Sequence, residues 1–438
     1  MNDLVGDAGS VRTLAQAIRG GTLTSKALVE YCLARIEAVD STVMAWRSVD
    51  RAGALAIADA CDREATAGEW RGPLHGVPFS VKDIIDVRGV PTRAGSRARA
   101  NAAPAKIDAT AVARLRAQGA IPLGKAHTTE FAYYEGVPPT RNPHDTSRTP
   151  GGSSAGSAAA VASGAVPFAL GTQTAGSVSR PAAFCGIGGF KPSTLSVVGA
   201  GVTPFAPSFD TVGVLAGTAA DAAWVVAAMA PEALGFDDLV ASPVKIEAVF
   251  LNDPLLDEKV EASVRTAMAQ LRARFTDAGI ATRTMAPPVP LGDLGVWHGT
   301  VSSYELGSVH AELLIDETLI SPRLAADIRT GQTITDAVYR NAQAALIAAR
   351  QTFWEALPWP ALVVLPAAPG PAPVGEATGD PSLIAPMTAL GGPIASIPTD
   401  PCAATGMPLG AMLCAPPAHD AALAATLYAT ETSLLSGP

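Results

Sequence analysis

Hydrophobic and polar positions recur along this chain with two different periods, and the switches between them mark its elements. Leu28, Tyr31, Cys32 and Ile36 fall at helical spacing behind Thr24 and Ser25, whose hydroxyls suit an N-cap, so a helix is predicted there. A second helix is predicted over "RAGALAIADACDREATAG". In "LHGVPFSVKD" the period drops to two. Phe79 and Val81 alternate with Ser80 and Lys82, which predicts a strand with two faces and puts Lys82 at its end. "TAVARLRAQGA" reads as a short helix closed by Gly119, and "IPLGK" as the strand after it. Helices and apolar strands alternate to about Val214, the pattern of an α/β sheet covered on both faces.

Beyond that point one amphipathic helix is predicted from Asp253 to Gly279. Asp253-Pro254 starts it, and Val260, Val264, Met268, Leu271 and Phe275 form its stripe. Two more helical patterns lie near Tyr304–Leu314 and Asp336–Trp354, and "ALVVLPAAP" returns the chain to the sheet. "PAAPGPAPVGEATGDPS" reads as a loop and "HDAALAATLYATETSLL" as a terminal helix. With no internal repeat and no long linker, one domain over residues 1–438 is expected: a core at 70–215, a mainly helical region at about 253–355, and a return to the sheet at 360–438.

Composition narrows the function classes. With 438 residues, 48% of them apolar, the chain can bury a large core. Its 31 basic and 40 acidic residues give a net charge of −9, which argues against a nucleic-acid or anionic-membrane surface. Only 16% of residues are charged, which suits a compact soluble enzyme rather than a disordered chain. The five cysteines are odd in number and include no CxxC, so neither a disulfide framework nor a zinc site is signalled. They read as core residues of a protein in a reducing compartment. "MNDLVGDAGS" lacks the basic and apolar regions of a secretory signal, so a cytoplasmic location is expected. The apolar run "AGSAAAVASGAVPFALG" is interrupted by Gly, Ser and Pro and reads as buried core, not a membrane span.

Several motifs carry candidate chemistry. "GGSSAGS" (151–157) precedes an Ala-rich helical run, so Ser153 or Ser154 would sit at a helix N-terminus. Gly152–Gly156 also matches the G-x-S-x-G nucleophile elbow, which would pair Ser154 with His419 and with Asp380 or Asp400. "GTQTAGS" ends in a small-residue turn, where consecutive backbone N–H groups can converge on one oxyanion. "GIGGFK" carries Lys191 where a dinucleotide fingerprint needs its third glycine. The six histidines form no HExxH or i, i+4 pair, so no metal is expected. Lys82 reads either as a snorkelling surface lysine or as a buried, neutral base.

Taken together, "GVPFSVKDIIDV" and "RTPGGSSAGSAAAVASGAVPFALGTQTAGSVSRPAAFCGIGGFKPS" resemble the amidase signature family in order and spacing. "TLTSKALVEYCLARIEAVD", "FDTVGVLAGT", "LGGPIASIP" and "GMPLGAMLCAP" extend the resemblance over almost the whole chain. It implies an α/β/α fold with a large mixed twisted sheet. It implies a Ser–cis-Ser–Lys triad in which the lysine is Lys82, the bridging cis-serine Ser153 and the nucleophile Ser177. The oxyanion hole falls on the backbone N–H groups of Thr174, Ala175, Gly176 and Ser177. The implied activity is hydrolysis of amide C–N bonds through an acyl-enzyme without a cofactor, in a monomer or homodimer acting on a small molecule.

The sequence departs from the commonest family pattern in three places: Gln173 replaces an acid, Ser179 an arginine, and Ala155 a glycine. Loss of an ion pair explains the first two jointly, because one charge left alone would be stranded. The substrate has two readings. Phe131, Tyr133 and Tyr134 offer an apolar wall for neutral amides, anilides or carbamates. Arg180 instead matches the arginine that holds a substrate carboxylate in the family's malonamate-type amidases. Two further rivals are a component of an amidotransferase complex and an α/β-hydrolase built on Ser154.

Overall fold

The computed structural model describes residues 10–134, 138–197, 199–232, 234–235, 245–375 and 377–435. Among these, eleven strands form one mixed sheet. They are β1 (Trp46–Val49), β2 (Pro78–Lys82), β3 (Ile121–Ala126), β4 (Phe168–Gln173), β5 (Gly188–Lys191), β6 (Thr211–Ala216), β7 (Glu247–Leu251), β8 (Ala281–Met285), β9 (Ala361–Pro366), β10 (Ile394–Pro398) and β11 (Gly410–Cys414). Their spatial order is β1-β3-β2-β4-β6-β5-β10-β11-β9-β7-β8.

Every residue of β2, β3, β4, β5 and β6 is buried. Successive side chains point to opposite faces, so both faces of this part of the sheet are covered. The alternation of Ser80 and Lys82 with apolar neighbours therefore marks two covered faces, not a wet one and a dry one. The helix Ala155–Ala162 packs against β2, β3 and β4, and Ala219–Met229 against β5 and β6. Small residues let the first of these approach closely. A Cβ on Gly156 would lie 2.3 Å from the Ala45 carbonyl oxygen and 2.5 Å from the His127 nitrogen.

Strand direction creates the site. β2 and β4 are parallel, with Phe79 facing Phe168 and Val81 facing Leu170, so Lys82 and Gln173 leave the sheet at the same edge. β6 runs antiparallel to β4 and begins at Thr211 opposite Gln173, which brings Asp210 to that edge as well. Catalytic groups of α/β proteins commonly gather at the carboxyl ends of parallel strands.

The predicted helix over 253–279 is two helices, Pro254–Lys259 and Ala262–Asp277. The break comes at Val260, whose φ of −79° and ψ of 126° are extended, and the next N–H, of Glu261, donates to the Pro369 carbonyl at 2.8 Å. The pattern near Tyr304–Leu314 is the end of a longer helix, Leu291–Val309, followed by a 3₁₀ segment, Ala311–Leu319, and a further helix, Pro322–Thr333. All five cysteines are buried free thiols. Among the described residues, no helix is long and apolar enough to cross a membrane.

Candidate active site

Two buried lysines stand on neighbouring strands and differ in one respect. Lys125 on β3 has a carboxylate partner: its Nζ lies 3.0 Å from Asp83 Oδ1 and donates to Thr92 Oγ1 at 2.9 Å. Lys82 on β2 is 0% exposed and, among the described residues, has no ion-pair partner. Its Nζ donates to Ser153 Oγ at 2.7 Å and to Thr172 Oγ1 at 2.7 Å. Burial pushes its pKa well below the ordinary lysine range, and the carboxylate of Asp210 opposes that shift. A neutral amine can accept a proton, which an ammonium cannot.

Ser153 is held on both sides. The Gly152–Ser153 peptide is cis. Arg180 Nη2 donates to the Gly152 carbonyl at 2.7 Å, and Thr128 Oγ1 donates to the Ser153 carbonyl at 3.1 Å. Ser154 occupies the N-cap position of Ala155–Ala162, yet its hydroxyl caps nothing there. It exchanges hydrogen bonds with Thr172 instead, accepting from the N–H at 3.2 Å and donating to the carbonyl at 3.3 Å. The other members of the elbow reading are engaged elsewhere. His419 Nδ1 lies 3.1 Å from the Pro417 carbonyl in its own loop, Asp400 pairs with Arg274, and Asp380 Oδ1 accepts from the Ser382 N–H at 2.8 Å.

The turn after β4 runs into the short helix Ser179–Cys185. Of Thr174 to Arg180 only Ser177 is not buried. Three successive peptide carbonyls of this turn are each held by a different donor. His298 Nε2 donates to Thr174 O at 2.8 Å, Thr388 Oγ1 to Ala175 O at 2.6 Å, and the Arg180 N–H to Gly176 O at 2.9 Å. In a trans peptide the N–H points opposite to the C=O, so the N–H groups of Ala175, Gly176 and Ser177 are turned away from all three anchors. Among the described residues, none of these three donates to a protein acceptor. Buried N–H groups are nearly always paired, so free ones on buried Ala175 and Gly176, next to that of the part-exposed Ser177, describe a place where an oxygen can bind.

Gln173 fills the position of the missing acid without a charge. Its Oε1 accepts from the N–H groups of Val178 (2.9 Å) and Ser179 (3.0 Å), and its Nε2 donates to Thr388 Oγ1 at 3.0 Å. Ser179 is fully buried, and its hydroxyl has no protein partner. A neutral amide and a neutral serine at these two positions leave neither with a charge to strand in the core.

The remaining sequence candidates separate. Phe131 is 2% exposed, adopts a φ of 48°, and packs on the ring of His310 at 5.0 Å. Tyr133 stacks on Phe205 at 6.1 Å and hydrogen-bonds Asp327. Tyr134 is 42% exposed and meets Phe205 edge-on at 6.5 Å. Glu135, Gly136 and Val137 of the same segment lie outside the described residues. Phe205, Val197, Val202 and Val212 form the apolar side of a cavity of about 180 Å³, and Thr172, Thr174 and Asp210 form its polar side. Arg180 is 2% exposed, and its Nε and Nη1 have no protein partner. Burial lowers its pKa to about 10, while Tyr134 and Asp380 act in the opposite direction.

Sequence reasoning missed Thr172, Asp210, His298 and Thr388. Asp210 had a signal, a lone acid opening the apolar strand of "FDTVGVLAGT". It accepts from Thr174 Oγ1 and from the N–H groups of Phe205 (2.7 Å) and Ala206 (3.1 Å). His298 had none, since it sits in a helix of ordinary pattern. Among the described residues, Cys61, Glu64 and His75 cluster with metal-like spacing. Both ring nitrogens of His75 are nevertheless occupied, Nε2 by the Cys61 carbonyl at 2.9 Å and Nδ1 by the Arg71 N–H at 3.2 Å.

The sequence pattern of the Amidase family matches residues 27–424. A glutamyl-tRNA(Gln) amidotransferase subunit from Anaeromyxobacter sp. (strain K) is 35% identical, over 97% of this chain and 96% of its own. A chain of a vestigial protein complex that reveals the evolutionary origins of an s-triazine catabolic enzyme superposes with a TM-score of 0.88 and 29% identity, over 97% of this chain and 98% of that one. The peptide amidase of Stenotrophomonas maltophilia superposes with a TM-score of 0.82 and 26% identity, over 99% of this chain and 98% of its own. The motifs, the mixed sheet and these matches agree: the chain belongs to the amidase signature family.

Proposed function

We propose that this chain hydrolyses amide C–N bonds through an acyl-enzyme on Ser177, with Ser153 relaying the proton to a neutral Lys82. The observation that carries this reading is the buried Lys82–Ser153 hydrogen bond of 2.7 Å, with no ion-pair partner for the lysine among the described residues. The Ser177 oxygen attacks the substrate carbonyl carbon while its proton passes to Ser153, and the Ser153 proton passes to Lys82 Nζ. The N–H groups of Ala175, Gly176 and Ser177 receive the oxyanion, and Thr174 holds the head of the same turn. Collapse breaks the C–N bond, and the proton returns through Ser153 to the leaving nitrogen. Water then attacks the acyl ester by the same path, restoring Ser177 and releasing the acid. Each step uses groups of the chain and water only.

Neutral, rather apolar amides, including anilides and carbamates, are the proposed substrates. The cavity walled by Val197, Val202, Phe205 and Val212 beside Thr172 and Thr174 supports this. A second reading is favoured by Arg180, whose Nη2 bonds the carbonyl of Gly152, the residue before Ser153, while its Nε and Nη1 have no protein partner. A short amide bearing a carboxylate would satisfy them. The relatives that serve as amidotransferase subunits suggest a third reading, in which the isolated chain is inactive. One panel separates the three. The isolated wild type and its Arg180→Ala and Ser177→Ala variants are assayed on p-nitroacetanilide, phenyl carbamate and malonamate. Turnover of the first two, abolished in Ser177→Ala, is expected. A preference for malonamate lost selectively in Arg180→Ala transfers the conclusion to the second reading. No turnover of any amide supports the third.

A further inference from the structure

The three carbonyl anchors of the turn Thr174–Ser177 come from separate parts of the chain. One, the Arg180 N–H, is a local bond of the turn that leads into the following helix. The other two are side chains from distant elements: His298 from the helix Leu291–Val309 and Thr388 from Ala385–Ala389. Both side chains are buried, His298 at 4% and Thr388 at 0% exposure. A carbonyl oxygen only accepts, so the proton facing Thr174 sits on His298 Nε2, and burial pulls the imidazole pKa down to about 4, keeping the ring neutral. Its ring packs on Phe209 at 4.4 Å, which limits its rotation. Thr388 is fixed in turn by the Gln173 amide that donates to it at 3.0 Å.

We infer that His298 and Thr388 are positioning residues for the oxyanion site, each setting the tilt of one peptide plane and thereby the aim of one N–H donor. His298 holds the Thr174–Ala175 peptide and so aims the Ala175 N–H. Thr388 holds Ala175–Gly176 and so aims the Gly176 N–H. Neither side chain touches the reacting atoms. Their effect falls on the transition state, where the oxyanion forms, rather than on the bound substrate, whose carbonyl makes weaker use of the same donors. The inference rests on the proposed role of Ser177 and its neighbours.

The test compares paired variants on whichever amide of the panel the wild type turns over fastest. His298→Leu and Thr388→Val remove the donors. His298→Gln and Thr388→Ser keep an N–H or O–H near the same place. Thermal unfolding confirms that each variant compared is folded. Removing an oxyanion donor outright costs about 10²–10³ in turnover, so a donor left in place but misaimed is expected to cost about 10-fold or more in kcat, with KM within about threefold. Gln and Ser should recover most of that loss. Folded His298→Leu and Thr388→Val with wild-type kcat would overturn the inference, as would conservative variants no better than the apolar ones. Ser177→Ala assayed alongside separates the two levels. If it is dead while His298→Leu and Thr388→Val keep full kcat, only the anchoring inference fails; if it is active, the reading of the site fails.

Discussion

Replacing Lys82 by methionine tests the charge state on which the mechanism turns. The two side chains are similar in length and volume, and the position is fully buried, so packing is largely conserved. The change removes hydrogen bonds to Ser153 and Thr172, each worth about 0.5–1.5 kcal/mol. It also removes the burden of burying an ionisable amine. The distinctive signature is the pH dependence. Burial lowers the folded-state pKa of Lys82 well below its unfolded value of about 10.4. Between those values the unfolded chain binds one more proton than the folded one, so wild-type stability rises with pH by up to about 1.4 kcal/mol per unit. The gain is complete once pH passes the unfolded pKa. Lys82→Met lacks this contribution, while the two other buried lysines, Lys125 and Lys191, act in both proteins and cancel in the difference. Urea unfolding of both proteins from pH 7 to 9.5 measures that difference. The wild type should gain on Lys82→Met as pH rises, by up to about 1.4 kcal/mol per pH unit, and the variant should have no measurable amidase activity. Parallel stability curves would show that Lys82 stays charged in the folded protein and would refute the reasoning.

Three other outcomes are expected. Ser177→Ala and Ser153→Ala should each lower kcat by several orders of magnitude while leaving the unfolding midpoint close to that of the wild type, as read by steady-state kinetics and circular dichroism. Asp210→Asn removes the carboxylate that opposes the fall of the Lys82 pKa, so the rise of acylation with pH should move to lower pH, as followed by single-turnover kinetics. His419→Ala should leave kcat within about twofold of wild type, because that ring, among the described residues, meets its own loop and Trp359.

The strands that build the site were legible because their signals are local. Phe79 to Lys82, "IPLGK" and the turn glycines keep their meaning in any context, and β2, β3 and the helix closing at Gly119 lie where the pattern placed them. The break at Val260 was not legible, since Val260 and Val264 both face inward on either side of it. The stripe therefore continues across the break, and what interrupts the helix is a bond to Pro369, in the loop after β9. Lys82 shows the same limit at the site. Its residue type and place at a strand end were readable. Whether it was buried alone or paired like Lys125 depended on where Asp83 and Asp210 came to rest. His298 and Thr388 lie far along the chain from the turn they hold, and no spacing in the sequence links them to it.

The central claim is that Ser177, and neither Ser153 nor Ser154, carries the acyl group. Treating the protein with a fluorophosphonate and locating the adduct by peptide mass spectrometry addresses it directly. The account predicts a single adduct on Ser177, absent from Ser177→Ala and strongly slowed in Lys82→Met; an adduct on Ser153 or Ser154, or unchanged labelling of Ser177→Ala, would contradict it.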